Sequence, residues 1–134
     1  MPASKYDFSI EQGTSFKLAL TYKDSNNAPI NITNWCARLI WKTEDEVTQI
    51  FSTTNMDHSI YKFEIIGTEG KLLLQLPAQT TNSFIFNKAK YDLELESPHD
   101  MYSGGGKELI RLIFGTVKIT HRFSENNSLL DCQT

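Results

Sequence analysis

The chain has 134 residues, a formal net charge of −3 and a pI near 5.6, with 40% hydrophobic and 22% charged residues. That length suits a single domain with its own core, and the acidic balance argues against a nucleic-acid binder, whose phosphate contacts need a basic face. No apolar run reaches the length of a membrane span, and MPASKYDF lacks the apolar stretch of a signal peptide.

Residues 1–5 read as a frayed lead-in. Tyr6, Phe8 and Ile10 then alternate with polar residues, and after Gln12-Gly13 the same period of two returns in Phe16, Leu18, Leu20 and Tyr22. That period marks strands with one dry face. KDSNNAP is a turn cluster. Trp35, Ala37, Leu39 and Trp41 share one face of a strand predicted over Trp35 to Lys42. TEDE turns the chain into VTQIF, Val47 to Phe51, an uncharged run expected at a sheet edge, and the polar segment Ser52 to Ser59 reads as a loop.

Tyr61, Phe63 and Ile65 lead to GTEG and back through Leu72, Leu74 and Leu76, a hairpin with a short Gly-bounded loop. PAQTTNSFIFNKAK lacks strand period, so a short helical turn is expected near Thr80 to Phe84, with Phe84 and Phe86 plugging the core. The longest hairpin follows, Tyr91 to Phe123. Tyr91, Leu93 and Leu95 alternate with Asp92, Glu94 and Glu96, a Gly- and Ser-rich loop spans Ser97 to Gly106, and a β-rich run extends from Lys107. Its apolar face changes parity between Ile110, Leu112, Phe114 and Val117, Ile119. A bulge at Gly115 would absorb the slip; a strand without a bulge, buried on both faces before Gly115, accounts for the same pattern. Tyr91, Leu93, Leu39 and Trp41 are expected in the core.

These elements predict an all-β fold: an antiparallel β-sandwich of about eight short strands with at most one short helical turn, although eight strands could also close as a barrel. Residues 1–124 form the single domain and residues 125–134 a polar C-terminal tail.

Candidate chemistry is sparse. His58, His99 and His121 lie in separate segments without metal-ligand spacing, His58 and His99 reading as loop residues. Cys36 and Cys132 form no redox motif, and reduced thiols fit them better than a bridge. Asp92, Glu94 and Glu96 fall on one side of a strand at steps of about 7 Å. Glycosidase carboxylates face each other across a cleft, so pairing with Lys107, Arg111 and Lys118 across the ladder is the better account. GGGK lacks the rest of a phosphate loop and is followed by Glu108. No catalytic, cofactor or metal residues emerge. Trp35, Trp41 and Tyr102 could line a sugar-binding face, but the two tryptophans share the parity of the core. An uncovered edge and an isolated apolar pair are tolerated where a partner covers them, so Tyr102, Gly104, Gly105 and Gly106 at the hairpin tip, with Leu129 and Leu130 in the tail, are the candidate protein-interface residues.

The ordered set QGTSFKLALTYKD, INITNWCARLIWK, GKLLLQLPAQTTNSF and KYDLELESP…ELIRLIFGTVKIT resembles small Ig-like β-sandwich modules among virion structural proteins of tailed bacteriophages, from about Gln12 to Arg122. The resemblance implies a non-enzymatic structural or assembly protein of the tail, baseplate, neck or fibre-attachment region. It further implies assembly in the host cytoplasm into the virion, contacts with other virion structural proteins as a homo- or hetero-oligomer, and no cofactor, nucleic acid or membrane. The Gly-rich tip is longer here than in that pattern, and the last strand ends THRF. A carbohydrate-binding β-sandwich module is the alternative.

Overall fold

The computed structural model describes residues 3–54, 59–100 and 107–121, the side chains of His99 and Asp100 excepted. Nine strands are described: β1 (Ser4–Lys5), β2 (Phe8–Glu11), β3 (Phe16–Thr21), β4 (Cys36–Thr43), β5 (Thr48–Ser52), β6 (Lys62–Ile66), β7 (Lys71–Leu76), β8 (Lys88–Asp100) and β9 (Lys107–Thr120). The larger sheet runs β1-β9-β8-β4-β5, with β2 also on β9; the smaller runs β3-β7-β6. Both sheets give their alternate apolar residues to one cluster, Ala37, Leu39 and Trp41 from β4 and Leu72, Leu74 and Leu76 from β7 among them. The expected core residues Leu39, Trp41, Tyr91 and Leu93 all lie in it. At one end, Trp41 packs edge-on against Phe51 at 4.9 Å and Phe84 at 5.3 Å, so the expected plug is in place.

Between β6 and β7 a 3-10 turn, Gly67–Glu69, ends at Gly70 with φ +64. A side chain at Gly70 would lie 2.5 Å from the Ile30 carbonyl oxygen, so the turn needs glycine for its backbone and its space. The helical turn α1 spans Ala78–Asn82 rather than Thr80 to Phe84, because it starts directly after Pro77, whose fixed φ suits a helix entry. It is stapled inward by Thr81, whose hydroxyl donates to the Thr14 carbonyl at 2.7 Å and accepts the Gly13 N–H at 3.0 Å.

Several expectations are corrected. The strands are not all antiparallel: β1 and β2 lie parallel to β9, and Ser4–Lys5, read as a lead-in, is paired. The strand of His99 is not a loop, since β8 continues to Asp100 opposite Lys107. The parity change is not at Gly115. Leu93 faces Ile113 while Glu94 faces Arg111, so Leu112 is the extra residue of a bulge. Beyond it Ile113, Val117 and Ile119 point inward and are buried, and Phe114 turns to the outer face.

Gly115 has a different task. The register on β9 is the same for β1 (Lys5 with Phe114) and β2 (Phe8 with Val117), so the two are one strand interrupted at Tyr6 and Asp7. The Tyr6 N–H keeps its place, donating to the Phe114 carbonyl at 2.8 Å. A parallel ladder would give the Thr116 N–H to the Tyr6 carbonyl. Instead the Asp7 carboxylate accepts it at 2.8 Å, and the Tyr6 carbonyl accepts the hydroxyl of Tyr91. Tyr91 stands directly opposite Gly115. A Cβ at Gly115 would lie 2.6 Å from the Asp7 carboxylate and closer still to the Tyr6 carbonyl oxygen. The first strand therefore dips into the space a side chain would fill.

Gly115→Ala should cost about 1–3 kcal/mol in urea melts, the range of forced overpacking; wild-type stability would show that the strand crosses elsewhere. Burial, and then the negative charge of Asp7 and the neighbouring Tyr6, raise the Tyr91 hydroxyl well above the ordinary tyrosine range. The neutral phenol is thus favoured in the folded state, so its contribution is complete below the unfolded value of about 10 and is lost as the pH rises beyond it. Urea midpoints between about pH 8 and 11 should fall more steeply for the wild type than for Tyr91→Phe; parallel curves would rule out this linkage.

Candidate interaction surface

The outer face of the larger sheet is built by the residues that alternate with the core. Reading across β4, β8 and β9, its rows are Cys36, Glu96, Leu109; then Arg38, Glu94, Arg111; then Ile40, Asp92, Phe114; then Lys42, Lys90, Thr116. Strand β5 extends these rows with Ser52, Ile50 and Thr48. The three carboxylates on one strand face are each committed to a cation: Arg111 holds Asp92 at 2.8 Å, Arg38 holds Glu94 at 2.8 Å and Lys107 holds Glu96 at 3.4 Å. Cross-strand pairing is what the alternation predicts, with Arg38 in the role expected of Lys118. Lys118 instead stands opposite Lys88, and Lys42 opposite Lys90. One half of the face is therefore charge-balanced, and the other is lysine-rich with the acidic turn at its rim.

The Arg111 guanidinium also lies 4.4 Å from the centre of the Phe114 ring, which gives this outward aromatic a cover. A groove of about 490 Å³ crosses the balanced half, lined by Cys36, Arg38, Ile50, Glu94, Glu96 and Leu109 among others. Ile50 and Leu109 are 56% and 53% exposed. A second groove, of about 390 Å³, opens beside the bulge between β1, β3 and β9, with Leu20, Tyr22, Ile110 and Leu112 in its walls. Burial, with Glu108 nearby, raises the Tyr22 hydroxyl above its ordinary value.

The residues expected at the interface, Tyr102, Gly104, Gly105, Gly106, Leu129 and Leu130, lie outside the described residues, as do His58, Cys132 and the 125–134 tail. Of the aromatic residues weighed for sugar binding, Trp41 is buried and Trp35 packs against the core. Trp41 donates its indole N–H to Gln49 at 2.6 Å. His121 follows β9 and meets the Asn87 side chain at 2.9 Å. Among the described residues no group of three His, Cys, Asp or Glu side chains could hold a metal ion, and no helix is long and apolar enough to cross a membrane. The exposed Leu109 and the Lys–Lys pairs escape sequence reading because both depend on strand register, which no short window of sequence contains.

Chemically, this face carries three carboxylates aligned along one strand, each paired with its own cation. It presents paired charges, exposed aliphatic residues and hydroxyls over a broad surface. No protein-family model matches the sequence, and no curated protein matches it.

The Arg38–Glu94 pair is bordered by solvent, so Glu94→Gln should cost no more than about 1 kcal/mol in urea melts; a loss of several would mean that the carboxylate supports the interior.

Proposed function

We propose that the protein is a non-enzymatic structural or assembly component of a tailed-phage virion, an Ig-like β-sandwich that makes protein–protein contacts in the tail, baseplate or neck. The reading is supported first by the resemblance of the ordered motifs. Those motifs are framework: QGTSFKLALTYKD contains β3, INITNWCARLIWK contains most of β4, GKLLLQLPAQTTNSF contains β7 and α1, and the last stretch contains most of β8 and β9. The likeness therefore concerns a scaffold, as expected of a module whose work is to hold a position. The observation that carries the non-enzymatic part is the pairing of Asp92, Glu94 and Glu96, aligned on one face of β8, with three separate cations. In this reading the tip around Tyr102 and Gly104–Gly106, and the tail pair Leu129 and Leu130, dock on neighbouring virion proteins.

Mass spectrometry of purified particles from the phage that encodes the chain should find it in stoichiometric amount. Deleting residues 125–134 should leave the melting temperature nearly unchanged while reducing incorporation into particles. Absence from purified particles overturns the virion reading, and normal incorporation of the truncated chain removes the tail's docking role. Sugar binding on a glycan array that disappears in Tyr102→Ala would replace the reading with a carbohydrate-binding module.

A further inference from the structure

The two edges of the larger sheet are treated differently. The β9 edge is covered by β1 and β2. The β5 edge has no strand beside it among the described residues. The direction of its backbone groups follows from the ladder. Thr43 donates to the Val47 carbonyl at 2.9 Å and Thr53 to the Ala37 carbonyl at 3.0 Å. Antiparallel pairing alternates, so residues 47, 49, 51 and 53 turn their backbone groups to β4, while Thr48, Ile50 and Ser52 turn theirs outward. Ser52 is already occupied: its N–H donates to the Tyr61 hydroxyl at 2.9 Å, and its carbonyl accepts that hydroxyl at 3.3 Å. What stays open is a window of two residues, Thr48 and Ile50.

A guarded edge carries a lysine, a proline or a bulge. This strand, TQIFS, has none of them. Two exposed aliphatic residues flank the window, Ile50 at 56% on the outer face and Val47 at 54% at the strand's start.

We propose that β5 pairs antiparallel with β5 of a second copy of this chain, about a two-fold axis at Gln49. Thr48 of each chain then stands opposite the partner's Ile50, and the two residues of each window exchange all four of their free backbone hydrogen bonds with the other. The two Ile50 side chains become diagonal neighbours on the outer face, within reach of one another. The flanks agree in charge. The acidic turn before β5, with Glu44, Asp45 and Glu46, lies toward the partner's Ser52, Thr53 and Thr54 end, which carries hydroxyls and no acid. Neighbouring registers fail. An axis at Ile50 sets Thr48 against the partner's Ser52, whose groups Tyr61 holds. An axis at Thr48 sets Ile50 against the partner's Glu46, which sits in the turn with φ 63. Self-pairing is thus specified by the same three features that bound the window: the Tyr61 hydroxyl, the turn and the missing charge. The inference stands on the sheet edge and not on the virion reading.

Two short strands bury less than the roughly 1,200 Å² of a stable complex, so the pairing depends on concentration. Sedimentation equilibrium of the full chain between about 10 μM and 1 mM, a span of some 3 kcal/mol in association free energy, should show a monomer–dimer equilibrium. Ile50→Lys should weaken it at least about tenfold by placing a charge on the edge, without moving the melting temperature. Thr48→Lys should do the same and serves if Ile50→Lys fails to fold. In a background with Cys36→Ser and Cys132→Ser, Thr48→Cys mixed with Ile50→Cys should oxidise to the mixed disulfide in preference to either homodimer. A wild type that stays monomeric at 1 mM, a dimer indifferent to both lysines, or preferential homodimer cross-links would each overturn the proposal.

Discussion

The closure of the larger sheet at its β9 edge depends on one missing side chain. At Gly115 the chain's first strand comes so close to β9 that the Tyr6 carbonyl and the Asp7 carboxylate share the volume a Cβ would need. A carbonyl in that part-buried position would be costly if left without a donor. Tyr91, opposite Gly115, supplies the hydroxyl it needs, and Asp7 supplies the acceptor that the Thr116 N–H loses. The exchange is conservative in hydrogen bonds: one backbone pair is replaced by two side-chain pairs. It also brings Phe8 against Tyr91 at 4.9 Å and against Phe16 of the smaller sheet at 5.4 Å, so the same crossing ties the N-terminal strand into the apolar layer between the sheets.

The bulge at Leu112 follows from the length of the hairpin. Strands of 13 and 14 residues cannot stay flat over a core, and an extra residue on one side adds the bend and twist that keep both ends in contact. Its effect is to reverse parity within β9. Inward residues Ile113, Val117 and Ile119 serve the core on one side of it, and Ile110 sits opposite Leu95 on the other. The bend also accompanies the groove beside β1, where Ile110 and Leu112 remain half-buried.

Much of this was legible in the sequence, and the failures share one cause. Alternation located β3, β4, β6, β7 and the start of β8, because each has one dry face against the other sheet. It also anticipated the paired carboxylates, since acids on alternate positions of a long hairpin must face cations across the ladder. A parity change was legible as well, but its position was not. Phe114 looks like a core residue by composition and is in fact an outer-face residue under Arg111, so the pattern places the slip three residues late. Glycine marked a real constraint at 115, but a spatial one imposed by residues more than a hundred positions away. The parallel pairing of the first strand was hidden for the same reason, because strand direction is a property of the partner and not of the segment. The candidate interface residues at the tip and in the tail lie outside the described residues, so the surface that can be described is one the alternation pattern only partly signalled.

The contrast between the sheet's two edges bears on what the fold is for. An edge strand left open invites pairing, and this chain shows that it can close one: the N-terminal residues cover the β9 edge over eight positions' length, with a side chain substituting wherever the backbone ladder fails. At the β5 edge the same kind of substitution is seen among the described residues at Ser52, where Tyr61 takes both backbone groups. Had the edge been closed simply to prevent aggregation, a single lysine at position 48 or 50 would have sufficed, since both side chains face solvent and neither packs in the core. Instead position 50 carries isoleucine beside Ile40 on β4. Exposed β-branched residues on an edge strand gain little from solvent and much from a neighbour, and Tyr61 limits how far a neighbour can slide. A boundary of that kind turns a general liability for pairing into a choice of register.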